Sequence, residues 1–283
     1  MQKKIQFPYF SITKNTLKAI FQAAIVIAVV VALWHSEVYA QNDQYLKKEF
    51  TGADGSVLPY RILYPEDLQQ GVQYPVVLFL HGAGERGNDN EKQLVHGSGL
   101  FLDDSNRKAY PAIVIFPQCP ENEWWVDLSV IGNIRMGNNT IPANDYPASA
   151  PLKLVKELMV EILSKEIVDN DRVYVMGLSM GAFGIFDLLH RRPDWFAAAV
   201  PICGGGDTSK VHKYAGKLPL WVFHGSDDSV VPAEASRMMV NALQEAGGDI
   251  IYTEYPGVDH NSWDPAFAEK DLLPWIFENK RKR

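Results

Sequence analysis

Cysteine is scarce in this chain: Cys119 and Cys203 are the only two in 283 residues. Two cysteines cannot build a disulfide scaffold, and a domain of this length needs none, although a Cys119–Cys203 pair is permitted outside the cytoplasm. Neither sits in a CxxC or Cys/His spacing, and HExxH is absent, so no metal motif and no cofactor is indicated. Clustered basic charge is lacking apart from Lys280-Arg281-Lys282-Arg283, which reads as a solvated tail. Internal repeats and low-complexity linkers are missing too, which excludes solenoid, collagen-like and disordered classes.

No apolar run reaches the roughly 20 residues that a bilayer-spanning helix needs. The longest, Ala19–Trp34, follows Lys3, Lys4, Lys14 and Lys18 and precedes Val38-Tyr39-Ala40. Charged start, apolar middle and small residues at the end are the three parts of a secretory signal peptide, with the cut expected between Ala40 and Gln41. Residues 41–283 would then be the exported protein, secreted or periplasmic. The first forty residues hold four of the 27 Lys/Arg and one of the 34 Asp/Glu, leaving 23 basic and 33 acidic residues, net −10. Such a surface repels phosphate backbones and anionic lipid, so neither nucleic acid nor membrane is expected as a partner after cleavage.

What is present is an alternation of strands and helices, which argues for an α/β fold with a mostly parallel sheet covered on both faces. Tyr45–Phe50 and Val57–Tyr64 read as an opening antiparallel hairpin. Pro75–Leu80, Ala112–Phe116, Asp171–Met176, Ala197–Ile202, Leu218–Phe223 and Ile250–Tyr255 read as further strands, most of them continuously apolar as burial on both faces requires. Helices are expected over Leu152–Ile167, Ala182–Leu189, Ala233–Ala246 and Pro265–Asn279. The segment Pro117–Ala150 lacks periodicity yet carries Trp124 and Trp125. A loop of that length in a compact domain points to function.

The chemistry begins at Gly177-Leu178-Ser179-Met180-Gly181. GxSxG alone arises by chance in roughly one chain in ten of this length, given about 7% each of Gly and Ser. Here it joins an apolar strand directly to a helical run, the strand–turn–helix context of a nucleophile elbow. A serine hydroxyl needs a base to take its proton and an acid to orient that base. Two loops after later strands offer them: His224-Gly225-Ser226-Asp227-Asp228-Ser229-Val230-Val231-Pro232 and Asp259-His260-Asn261-Ser262-Trp263.

With His81-Gly82-Ala83-Gly84-Glu85-Arg86-Gly87, these motifs resemble those of secreted α/β-hydrolase serine esterases. The similarity extends to the carboxylesterase/dienelactone hydrolase and feruloyl-esterase-like groups and to the catalytic domain of prolyl oligopeptidases. It covers residues 45–280. The resemblance implies Ser179 as nucleophile, His260 as base and Asp228 as acid, with Asp227 the runner-up and His224 a packing residue. It implies an oxyanion hole from the backbone N–H groups of Met180 and Ala83, with Gly82 or Gly84 as substitutes for the latter. Glu85 and Arg86 are expected to steady that loop as an ion pair without a catalytic role. His96, His190 and His212 have no motif around them and read as surface or structural residues.

Trp124, Trp125 and Trp263 are candidates for the substrate wall, because planar aromatics can stack on a phenolic acyl group or a sugar face. The implied activity is hydrolysis of carboxylic esters through an acyl-enzyme, with acetyl or feruloyl esters of plant polysaccharide as candidate substrates. A serine peptidase of the prolyl oligopeptidase type is the alternative, and a non-catalytic binding protein on the same fold a remoter one.

Overall fold

The computed structural model describes residues 43–135 and 146–281. The proposed signal segment and cut site therefore lie outside the described residues, as does the middle of the Pro117–Ala150 segment. The elements run β1 (Leu46–Thr51), β2 (Val57–Leu63), β3 (Tyr74–Leu80), α1 (Ser98–Leu102), α2 (Asp104–Ala109), β4 (Ile113–Pro117) and α3 (Leu128–Arg135). They continue with α4 (Ala150–Leu163), β5 (Val168–Leu178), α5 (Met180–Arg191), β6 (Ala198–Ile202), β7 (Leu220–Gly225), α6 (Glu234–Glu245), β8 (Ile250–Tyr255), α7 (Trp263–Phe267) and α8 (Leu272–Glu278).

The strands form one sheet in the order β1-β2-β4-β3-β5-β6-β7-β8. β1 and β2 pair antiparallel, β2 meets β4 antiparallel, and every later pairing is parallel. This is the α/β-hydrolase architecture.

The period of two along a strand divides the interior into two cores. Val76, Leu78 and Leu80 of β3 point into a core with Leu158 of α4, Leu188 of α5 and Leu243 of α6. Val77 and Phe79, on the other face, pack with Phe101 of α1, Ala266 of α7 and Ile276 of α8. Both faces of the central strands are thus covered, which is why they read as continuous apolar runs.

Several boundaries differ from the sequence expectation, and those of the helices around β5 and at the C-terminus do so for clear physical reasons. The helix expected over Leu152–Ile167 starts earlier, where Ser149 Oγ accepts the Leu152 N–H at 3.3 Å and Pro151 occupies the first turn. It also stops at Leu163, because Ile167 belongs to the turn that leads into β5 and its carbonyl accepts the Tyr74 N–H at 2.8 Å. The helix expected over Pro265–Asn279 is two helices, α7 and α8. Pro274 has no N–H and its ring clashes with a helical carbonyl four residues back, so the chain restarts with this proline in a first turn.

Candidate active site

The parallel strands deliver their C-terminal ends to one edge, where an open sheet of this kind holds its site. β5 runs to Leu178 and α5 begins at Met180, so a single residue, Ser179, makes the turn. Its φ of 50° and ψ of −118° lie where L residues seldom go. The close approach demands glycine on both sides: a methyl on Gly181 would stand 1.9 Å from the Leu80 carbonyl oxygen, and one on Gly177 2.5 Å from the same atom. The Ser179 N–H is spent on the Ile202 carbonyl at 2.8 Å, which ties the turn to β6.

Ser179 Oγ lies 2.9 Å from His260 Nε2, and His260 Nδ1 lies 2.7 Å from Asp228 Oδ2. An ionised carboxylate only accepts, so Nδ1 carries the proton and Nε2 faces the hydroxyl with its lone pair. The structure thus brings together Ser179, Asp228 and His260 from the ends of β5, β7 and β8. Asp228 Oδ1 accepts the N–H groups of Val230 and Val231 at 2.9 and 2.8 Å. Burial opposes its charge, but hydrogen bonds from His224, His260, Val231 and Val230 outweigh that and hold its carboxyl far below the usual carboxylate range. Asp227 stays in the exposed turn and accepts the Ser226 hydroxyl at 2.6 Å.

Facing Ser179 is the loop after β3. His81 Nε2 accepts the Cys119 N–H at 2.9 Å, and Nδ1 lies 2.6 Å from the Gly82 carbonyl oxygen. Ala83 and Met180 both line the pocket beside Ser179. Met180 opens α5, where the N–H groups of the first turn have no carbonyl one turn back. The expected Glu85–Arg86 ion pair does not form. Arg86 instead donates to the Ala83 carbonyl at 2.8 Å and lies over the Trp124 ring, while Glu85 faces His96 Nε2 at 3.7 Å. A carboxylate and a guanidinium adjacent on a single 3₁₀ turn leave it in different directions, and each finds its own partner.

The pocket has a volume of about 310 Å³. Trp124 and Trp263 line it, as expected; Trp125 does not. Trp125 is fully buried and donates from Nε1 to the His81 carbonyl at 3.0 Å, so it supports the loop from behind. Ile131, Phe183, Val230 and Val231 complete the apolar lining. Sequence reading missed these four. Phe183, one turn beyond the GxSxG serine on the expected helix, and Val230 and Val231, just after Asp228 in the loop motif, had a positional signal; Ile131 had none.

Among the described residues, one group of possible metal ligands gathers: Cys203, Asp228 and His260, with donor atoms within 4.8 Å of one another. Burial drives the Cys203 thiol well above its ordinary range, so a thiolate is costly there, and the other two groups are hydrogen-bonded to each other. Cys119 and Cys203 are both free and buried.

Residues 69–270 match the profile of the phospholipase/carboxylesterase family of α/β-hydrolases. The chain belongs to this family. It is similar to a probable carboxylesterase SOBER1-like protein of Arabidopsis thaliana, with 27% identity over 65% of this chain and 72% of the relative. A thermostable esterase of known structure superposes with a TM-score of 0.76 at 37% identity, covering 86% of this chain. This chain spans 64% of that esterase's length. A ferulic acid esterase superposes at 0.59 over 82% of this chain and 97% of its own, with 16% identity, a likeness of fold. The family member described here is an esterase.

Proposed function

We propose that this esterase works by acyl transfer through Ser179, His260 and Asp228, and that it is exported. The reading is carried by the unbroken hydrogen-bond line from Ser179 Oγ through His260 to Asp228, at 2.9 and 2.7 Å. In this mechanism Oγ attacks the ester carbonyl carbon and its proton passes to His260 Nε2. The carbonyl electron pair moves onto oxygen, where the Ala83 and Met180 N–H groups receive it. The oxygen lone pair then re-forms the carbonyl, the C–O bond to the alcohol breaks, and His260 protonates the leaving oxygen. A water molecule attacks the acyl-enzyme with His260 again as base. The acid leaves and the proton returns to Ser179.

His260 must touch the leaving oxygen, so the alcohol belongs on its side of the pocket, beside Trp263, whose ring centre is 5.4 Å from the imidazole. The acyl group then occupies the apolar side formed by Trp124, Ile131, Phe183 and Val231. That lining supports short aliphatic or hydroxycinnamoyl esters, and plant polysaccharide esters are the proposed natural class.

The test is hydrolysis by the purified protein, beside Ser179→Ala, of nitrophenyl acetate, methyl ferulate, acetylated xylan and a prolyl amide. Ester turnover that vanishes in the variant supports the mechanism, and the preferred ester names the class. Amide turnover without ester preference, or full activity in Ser179→Ala, overturns it. Export predicts that the protein recovered outside the cytoplasm begins at Gln41 on N-terminal sequencing.

A further inference from the structure

His224 ends the apolar part of β7, is fully buried, and takes no part in the steps above. It is more than the packing residue that the sequence suggests. Its Nδ1 lies 2.7 Å from Ser236 Oγ, which lies 2.7 Å from the Gly204 carbonyl oxygen. A carbonyl can only accept, so the single hydroxyl proton of Ser236 points at Gly204, and Ser236 Oγ must accept from Nδ1–H. On the other side of the ring, Nε2 lies 2.9 Å from the Val231 carbonyl oxygen and 3.2 Å from Asp228 Oδ2. Both of these only accept as well. A neutral imidazole has one N–H. Wherever it sat, two lone pairs would face each other at hydrogen-bond distance among buried groups.

We propose that His224 carries a proton on both ring nitrogens and is a positioning residue, a buried imidazolium that grips the same Asp228 oxygen as His260. Oδ2 then receives two imidazole N–H groups while Oδ1 receives the amides of Val230 and Val231. Four donors prevent the carboxylate from rotating, which aims Oδ2 at His260.

The second imidazolium also shares the negative charge that His260 relies on when it takes the Ser179 proton. The other charged or titratable groups near His224 do not replace this effect. Glu254 is its cross-strand partner on β8, but that carboxylate is taken by Arg237 of α6 at 2.8 and 2.6 Å. Cys203 at the end of β6 is held as a neutral thiol by burial.

The experiment uses the full chain labelled with ¹⁵N-histidine, at pH 7, beside His224→Gln to assign the signal. An imidazolium resonance with two slowly exchanging ring N–H protons, lost in the variant, is the expected result. A neutral tautomer overturns the proposal, and this arm stands whatever Ser179 does. The second arm is the split between kcat and KM. In His224→Gln kcat is expected to fall by about tenfold or more with KM unchanged, whereas the exposed control His212→Gln changes neither. An unchanged kcat in a folded His224→Gln overturns the positioning role. Should Ser179→Ala retain activity while the imidazolium is seen, the acyl-transfer reading fails and the charge assignment does not.

Discussion

His81 clasps its own neighbour: its Nδ1 lies 2.6 Å from the carbonyl oxygen of Gly82. Because Nε2 accepts the Cys119 N–H, the ring proton is on Nδ1 and is donated to that carbonyl. In a trans peptide the C=O and the following N–H point in opposite directions. Holding the Gly82 oxygen therefore aims the Ala83 N–H away from His81. The preceding peptide is held too, by Trp125 Nε1 on the His81 carbonyl. A donor fixed before substrate arrives needs no reorganisation when charge develops on the carbonyl oxygen.

This clasp requires a neutral ring, and stability should report it. Burial pushes the His81 imidazole down to about 4 from its ordinary 6.5. Above pH 6.5 neither the folded nor the unfolded chain protonates this group, and its contribution is complete. As pH falls from 6.5 to 4 only the unfolded chain takes up the proton, so stability declines, by about 3 kcal/mol once both states are protonated. His190, lowered to about 3 by burial and then by Arg191, adds to the same slope. Urea unfolding at pH 7.5, 5.5 and 4.5 should show the decline, and His81→Gln should flatten it.

Asp227 and Asp228 separate by environment alone. Asp228→Asn should keep the fold and lower kcat by roughly 10³–10⁴, since the amide no longer accepts from His260 with a charge. Asp227→Asn changes only the exposed contact with Ser226. Its kcat should stay within about twofold, as surface positions do. Steady-state kinetics of the two purified variants on nitrophenyl acetate decides between them.

The adjacent tryptophans should fail in different ways. Trp125→Ala removes a fully buried ring and leaves the His81 carbonyl without its donor. It should cost about 3–5 kcal/mol in denaturant unfolding. Trp124→Ala opens the pocket wall beneath Arg86 and should raise KM for aromatic esters while the unfolding midpoint shifts little.

Gly181→Ala places a methyl 1.9 Å from the Leu80 carbonyl oxygen, a backbone atom that cannot move aside. The elbow should not form, with a loss of more than about 4 kcal/mol or no soluble protein. Gly84→Ala meets nothing within 4 Å and should unfold at the wild-type temperature, which calorimetry on both variants checks.

Much of this was legible in residue order because it rests on local periodicity. A strand buried on both faces must be apolar throughout, so β3 and β4 announced themselves, and the elbow was marked by glycines that no other residue could replace. β5 begins three residues earlier than expected, because its first part is half-exposed and polar. The helices α1 and α2 went unread, being five and six residues long, although Asp103 caps the second through the N–H groups of Ser105 and Asn106.

By itself the sequence determined which segments are strands and where the GxSxG elbow falls, since each depends on spacing along one strand and its following turn, while the family resemblance offered Ser179, His260 and Asp228 as nucleophile, base and acid. Only the tertiary structure decided which of two neighbouring tryptophans meets the pocket, that Glu85 turns to His96, and that His224 faces oxygen acceptors on both sides. Two identical side chains in succession carry no information about direction. The number of acceptors around a buried ring is set by β6, β7, α6 and the loop between the last two, which meet only when the chain is folded.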